Sequence, residues 1–199
     1  MGLLFSQFSK PKGLIGRIVG FIMYRENAAI SKWTLSFLDI QSDEHVLEIG
    51  FGPGYCIRSL CKTYRDIHVT GLDPSGTMVE EATRRNQKWV DEGRVELKEA
   101  KAGEVDVVSK PIDKVITINN ITYWEDPVRT LNNLKTRMRK AGRIAITLQP
   151  HEKGASDQTA ELAGDQIRSF LEQAGFEYVR VHHRPGKPNK TTCVVGSAP

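Results

Sequence analysis

The chain has 199 residues and 22.3 kDa, with 28 Lys and Arg against 24 Asp and Glu, a net charge of +4 and a pI of about 9.0. That length suits one domain able to bury a full core unaided, and 39% hydrophobic with 26% charged residues excludes disordered and collagen-like chains. No apolar run approaches the roughly 18 residues of a membrane-spanning helix. Cys56, Cys61 and Cys193 contain no CxxC and cannot all pair, which points to a reducing cytoplasm.

The first apolar stretch, Ile18–Tyr24, follows Lys10, Lys12 and Arg17 and so imitates a signal peptide. It is only seven residues long and runs directly into Arg25-Glu26. Leu14, Ile15, Ile18, Val19, Ile22 and Met23 instead recur at helical spacing, which predicts an amphipathic helix over 14–24 able to lie on anionic lipid. Met1-Gly2 with Ser6 also satisfies the loose myristoylation pattern, which is short and common. A second helix is expected over 26–39, with Ile30, Trp33, Thr34, Phe37 and Leu38 on one side. Residues 1–44 therefore read as a helical cap, and 45–199 as the main domain.

From there strands and helices alternate. Strands are predicted at 46–49, 68–72, 94–98, 113–118 and 143–148, with helices at 55–65, 75–91, 127–140 and 158–174. A weakly helical link covers 102–109. Asp126 as N-cap with Pro127 behind it marks one helix start, and Gly142 and Gly175 are expected to close two helices. Strands at 176–182 and 191–195 have no helix between them, so they should pair antiparallel. Such alternation implies an α/β sandwich with a mostly parallel sheet. Trp33 and Trp89 fall on apolar helix faces and read as core, while Cys56 and Cys61, five apart, should not share a face.

Ligands of open α/β sheets bind beyond the carboxyl ends of the strands. The first strand ends there in Glu48-Ile49-Gly50-Phe51-Gly52-Pro53-Gly54. A dinucleotide site of G-x-G-x-x-G type would need glycine at position 55, which is Tyr55. That disfavours a nucleotide-cofactor oxidoreductase, the alternative from another enzyme class. The acid-x-G-x-G-x-G pattern instead closely resembles motif I of the class I S-adenosylmethionine (SAM)-dependent methyltransferases. Four further stretches resemble that family in order: Asp73-Pro74-Ser75 with Met78; Ile112–Ile116 with Asn119 and Asn120 behind it; Met138–Ile144; and Leu171–Phe176. The resemblance covers residues 45 to 199 and is closest to small bacterial, quinone-biosynthesis-like methyltransferases.

The resemblance implies a Rossmann-like three-layer αβα sandwich, strand order 3-2-1-4-5-7-6, with SAM as cofactor, S-adenosylhomocysteine as product and no metal. It implies cofactor contacts from Glu48, Gly50, Phe51, Gly52, Gly54, Asp73, Pro74, Met78, Lys101, Ala102 and Asn119. Glu48 would help hold the ammonium end, Asp73 the ribose hydroxyls, and Met78 would lie near the adenine. One position departs from the pattern. Where the family commonly has Gly-Asp-Ala, this chain has Ala100-Lys101-Ala102, and a lysine cannot accept the adenine amine's hydrogen bond. Glu99 could substitute after a register shift, backbone atoms could suffice, or affinity could fall; backbone contacts are favoured.

Methyl transfer needs alignment and water exclusion more than acid–base chemistry, so no dedicated catalytic residue is expected. Tyr123, Glu125 and His151 are the nearest candidates for a base, and each could equally shape the pocket. The Asn119-Asn120-Ile121-Thr122 stretch lacks the D/N-P-P-Y/F motif of amino-methylating nucleic-acid enzymes, no Pro-Cys nucleophile occurs, and no target-recognition domain fits. The expected acceptor is a small molecule, acidic or lipid-like, with a membrane-surface acceptor as the alternative. The charge agrees: residues 129–143 carry six basic and no acidic residues. They are expected near a helix end at the sheet edge opposite the cofactor, leaving only a modestly basic rim on the active face.

Overall fold

Seven strands form one sheet in the order β3-β2-β1-β4-β5-β7-β6. They belong to a computed structural model that describes residues 28–199. The predicted amphipathic helix over 14–24, its lipid contact and the Gly2 pattern lie outside the described residues. In chain order the elements are α1 (residues 28–35), β1 (His45–Ile49), α2 (Tyr55–Thr63), β2 (His68–Asp73), α3 (Gly76–Asp91), β3 (Val95–Glu99), β4 (Ile112–Ile118), α4 (Pro127–Arg137), β5 (Met138–Leu148), α5 (Asp157–Gln173), β6 (Glu177–Arg184) and β7 (Thr191–Ser197). Short 3-10 turns at Val105–Val107 and Ile121–Tyr123 follow β3 and β4.

β1 through β5 pair parallel, and β7 runs antiparallel to both β5 and β6, as the helix-free connection requires. Because the parallel strands are covered on both faces, β1 is buried at all five positions. Side chains on one face join α4 and α5 in a cluster around Leu47, Leu131, Leu134, Ile144 and Leu171. Those on the other join α1, α2 and α3 around Leu38, Ile57, Leu60, Ala82 and Ile116.

Local chemistry sets the helix starts. Asp126 accepts from Arg129 N at 2.9 Å with Pro127 behind it, Ser75 accepts from Met78 N, and Ser156 with Thr159 forms a capping box. Trp33 and Trp89 both pack against the second cluster, as core residues do.

One expectation is corrected. The helix predicted over 127–140 ends at Arg137, because Met138 pairs with Ile112 and the chain enters β5 five residues earlier than expected. Gly142 is therefore a strand residue; a Cβ there would lie 2.8 Å from Arg139 O and 3.0 Å from Asp113 O, so close backbone approach explains the glycine. Cys56 and Cys61, five residues apart, are both buried in one cluster. α2 lies so deep between sheet and α3 that more than one of its faces is covered.

Candidate active site

The tips of β1 and β2 are bound together through one carboxylate. Asp73 Oδ2 accepts from Gly52 N at 2.9 Å, and Oδ1 accepts from Ser75 N at 3.0 Å. Asp73 thus ties the glycine turn to the start of α3 while keeping further acceptor capacity on both oxygens. The turn needs its glycines. Gly54 has φ +78° and a Cβ there would lie 2.7 Å from Ala82 Cβ; at Gly50, φ +72°, the Asn120 side chain occupies the space of a Cβ. Gly52 faces open space.

Beside this turn lies a cavity of about 450 Å³, within the roughly 300–1,000 Å³ range of small-molecule sites. Of the residues predicted for the site it brings together Gly50, Pro74, Lys101, Ala102, Tyr123 and Glu125. The signal that sequence reading missed is on α4: Asp126, Arg129, Thr130 and Asn133 recur at helical spacing and all line the cavity, with Trp124 before them. Asn120 and Trp124 form one unit, Trp124 Nε1 donating to Asn120 Oδ1 at 2.7 Å.

Lys101 does not act as the expected acid would. Its Nζ donates to Glu125 Oε1 at 3.0 Å across the cavity rim, while its backbone N donates to Glu104 Oε2 at 2.7 Å. The pairing raises the lysine and lowers the Glu125 carboxyl from their ordinary values, which keeps Glu125 ionised and makes it a poor proton acceptor. Glu99 lies against Gly76 at the start of α3 instead of moving into the lysine's place.

Other predicted residues lie elsewhere. The Phe51 ring is core, packed toward Gly71 and Ile57's cluster, and Met78 also leans on that cluster. Asn119, at φ +53°, spends its side-chain oxygen on Gln149 N at 2.8 Å, and Gln149 in turn donates to Asn189 O at 2.9 Å. This ties together the loops behind β4, β5 and β6. His151 is exposed and outside the cavity wall.

Glu48 sits on the opposite sheet face from the cavity. It is 3% exposed, bonds the Cys56 thiol and leaves Oε2 without a partner. Burial, with Asp73 nearby, pushes its carboxyl up to about 8. Cys61 and Cys193 are pushed up by burial to about 11 and about 12, and Cys56 well above its ordinary value, so none supplies a ready thiolate. Among the described residues no group of three or more His, Cys, Asp or Glu side chains is placed to hold a metal ion.

With this geometry in view, a family profile described as "Methyltransferase domain" matches residues 46–142. The uncharacterized methyltransferase YdaC of Bacillus subtilis is 33% identical over 182 residues, covering 92% of this chain and 98% of that one. The chain belongs to the class I SAM-dependent methyltransferases. Solved methyltransferase structures share its fold. A SAM-dependent methyltransferase from Aquifex aeolicus superimposes with a TM-score of 0.68 at 18% identity, covering 85% of this chain and 89% of that one. The magnesium protoporphyrin IX methyltransferase of Synechocystis, with bound SAM, gives 0.66 at 15% identity over 100% and 92%.

The methyltransferase's own residues fit the cofactor. A buried carboxyl with an orphaned oxygen suits a cationic group, a left-handed glycine with free space beside it admits a ligand against backbone, and the acid bonded to that glycine keeps spare acceptor capacity.

Proposed function

We propose that this methyltransferase methylates a small molecule held at the carboxyl ends of β1 to β5. The observation that carries the reading is Asp73, which braces the glycine turn and the start of α3 at the rim of the cavity. Bound SAM supplies an activated methyl group and its own leaving group. The protein's share is then to grip, align and exclude water. The glycine turn with Glu48 receives the amino-acid end, Asp73 the ribose, and backbone atoms at Lys101 and Ala102 the adenine. Asn120 and Trp124 wall the cavity, and the Lys101–Glu125 pair spans its rim.

Among the described residues no side chain here is set up as a strong base. Glu125 is committed to Lys101 and His151 stands apart, while Tyr123, 80% exposed, is free to line an acceptor. Transfer to an already nucleophilic acceptor, such as a neutral amine, needs none. Around the cavity Lys101 and Arg129 are offset by Glu104, Glu125 and Asp126, so its charge alone selects no acidic acceptor.

Calorimetric titration with SAM tests the cofactor site. Asp73→Ala should abolish measurable binding, and Asp73→Asn, which keeps the shape and one acceptor oxygen, should weaken it. Unchanged affinity in both folded variants would refute the assignment.

A further inference from the structure

α1 covers only part of the sheet face it packs on. Thr34 Oγ1 meets Thr147 Oγ1 at 2.7 Å, and the Phe37 ring stacks on His182 with centroids 4.4 Å apart. There the helix has ended, and no described residue covers the face toward the beginning of β5 and the end of β7. A cavity of about 560 Å³ opens in that gap, walled by Phe37, Arg143, Tyr178, Arg180, His182 and Ser197 among others.

The wall is rich in donors and poor in acceptors. None of its described residues is acidic. A guanidinium offers five N–H groups, yet Arg143 spends one, on Phe37 O at 3.3 Å, and Arg180 makes no hydrogen bond or ion pair among the described residues. Arg143 could be explained as a cation at the end of α1, where the helix dipole favours one. Arg180, on the edge strand, has no such explanation. Burial first, then the charges of Arg180 and His183, lowers the His182 pKa. Tyr178 adds a second oddity: it lies where the β6 register shifts, at φ +53°, a conformation bulky residues rarely adopt, and is 78% exposed.

We infer that this cavity is a second ligand site, which takes an organic anion, a phosphate or carboxylate carried on a flat ring, with the anion on Arg143 and Arg180 and the ring against Tyr178 and the Phe37–His182 stack. The volume exceeds what a bare inorganic ion needs, and the aromatic lining suits a planar body. Residues 1–27 do not supply the missing charge, since they carry four basic residues and one acidic. Arg143 stands five residues before the Leu148 end of β5, roughly 16 Å along the strand. The site is therefore separate from methyl transfer, and its occupant is a ligand other than the acceptor.

The test is calorimetric titration of the full chain, with and without SAM, using 1-naphthyl phosphate, 1-naphthoate, inorganic phosphate and uncharged 2-naphthol. One or both naphthyl anions should bind saturably at low-millimolar concentration or better, the preferred one separating phosphate from carboxylate chemistry. Binding should weaken about tenfold in Arg180→Gln, the loss of one charge-assisted pair. Inorganic phosphate and 2-naphthol should bind more weakly than the naphthyl anions, and SAM affinity should be the same in Arg180→Gln as in the parent. Four results would overturn the inference: no saturable binding of either anion, equal binding by the variant, displacement of the probe by SAM, or binding only of a polyanion such as heparin.

Discussion

Replacing Glu48 with Gln should change how stability depends on pH more than it changes stability at any single pH. In the folded protein the carboxyl is encased by the Cys56 thiol on α2, with Cys61 beyond it and Asp73 on β2, and its pKa is about 8 against 4.5 for an unburied glutamate. The folded state therefore keeps a proton that the unfolded chain gives up as pH rises through 4.5. Stability must fall with pH across that window until the folded group also ionises near 8. Between pH 5 and pH 8 the loss amounts to about 3 kcal/mol, at 1.36 kcal/mol per unit of separation. Glutamine never ionises, so this slope should vanish, although its buried amide adds a constant cost of about 1–3 kcal/mol. Urea unfolding of both proteins at intervals from pH 5 to 8 measures the gap directly, and other titrating groups cancel in the difference. The two curves should converge in favour of the variant as pH rises. Parallel curves would show that Glu48 is ionised in the folded protein and that its orphaned oxygen has a partner.

A different sign is expected at His45, whose ring is held between Pro111 O at 3.0 Å and Thr70 Oγ1 at 2.8 Å and whose pKa is lowered by burial. The unfolded chain takes up this proton below pH 6.5 and the folded protein resists it, so stability is lost on acidification through 6.5; His45→Gln should flatten that limb of a thermal-melting profile, and an unchanged limb would assign it elsewhere. Gly54→Ala forces a left-handed alanine at the start of α2 against Ala82 and should cost about 3 kcal/mol in urea unfolding, combining backbone strain with overpacking. A loss under about 1 kcal/mol would mean the turn relaxes more freely than its packing suggests.

The sheet was legible because its determinants are local and repetitive. Apolar strands such as Val46–Ile49 alternate with helices whose starts carry their own caps, as at Asp126-Pro127, and the missing helix between β6 and β7 forces their antiparallel pairing. The glycine turn was legible too, since three closely spaced glycines have few other uses. Met138–Lys140 was misread because nothing in those residues resists a helix; pairing with Ile112, 26 positions away, decides it. The family resemblance implied Phe51 and Met78 beside the cofactor; the Phe51 side chain is buried in the core, and Met78, half-buried, packs against it. The α4 stripe of Asp126, Arg129, Thr130 and Asn133 was present in the sequence, but it looks like any solvated helix face until the loop after β3 closes over it.

The position of β7 has a consequence for how the chain can assemble. β6 precedes β7 in the chain, yet in the sheet β6 borders β7 alone. β6 therefore joins the sheet only through β7, and without β7 docked on β5, α5, which packs on both, lacks much of its seat. Strands β1 to β5 can add to one another without them, but the Phe37–His182 and Arg184–Ala29 contacts that hold α1 must wait. The clasp on the N-terminal helix thus depends on the β6–β7 edge of the sheet, and a variant lacking β7 should leave β6, α5 and α1 unmoored together rather than lose a single strand.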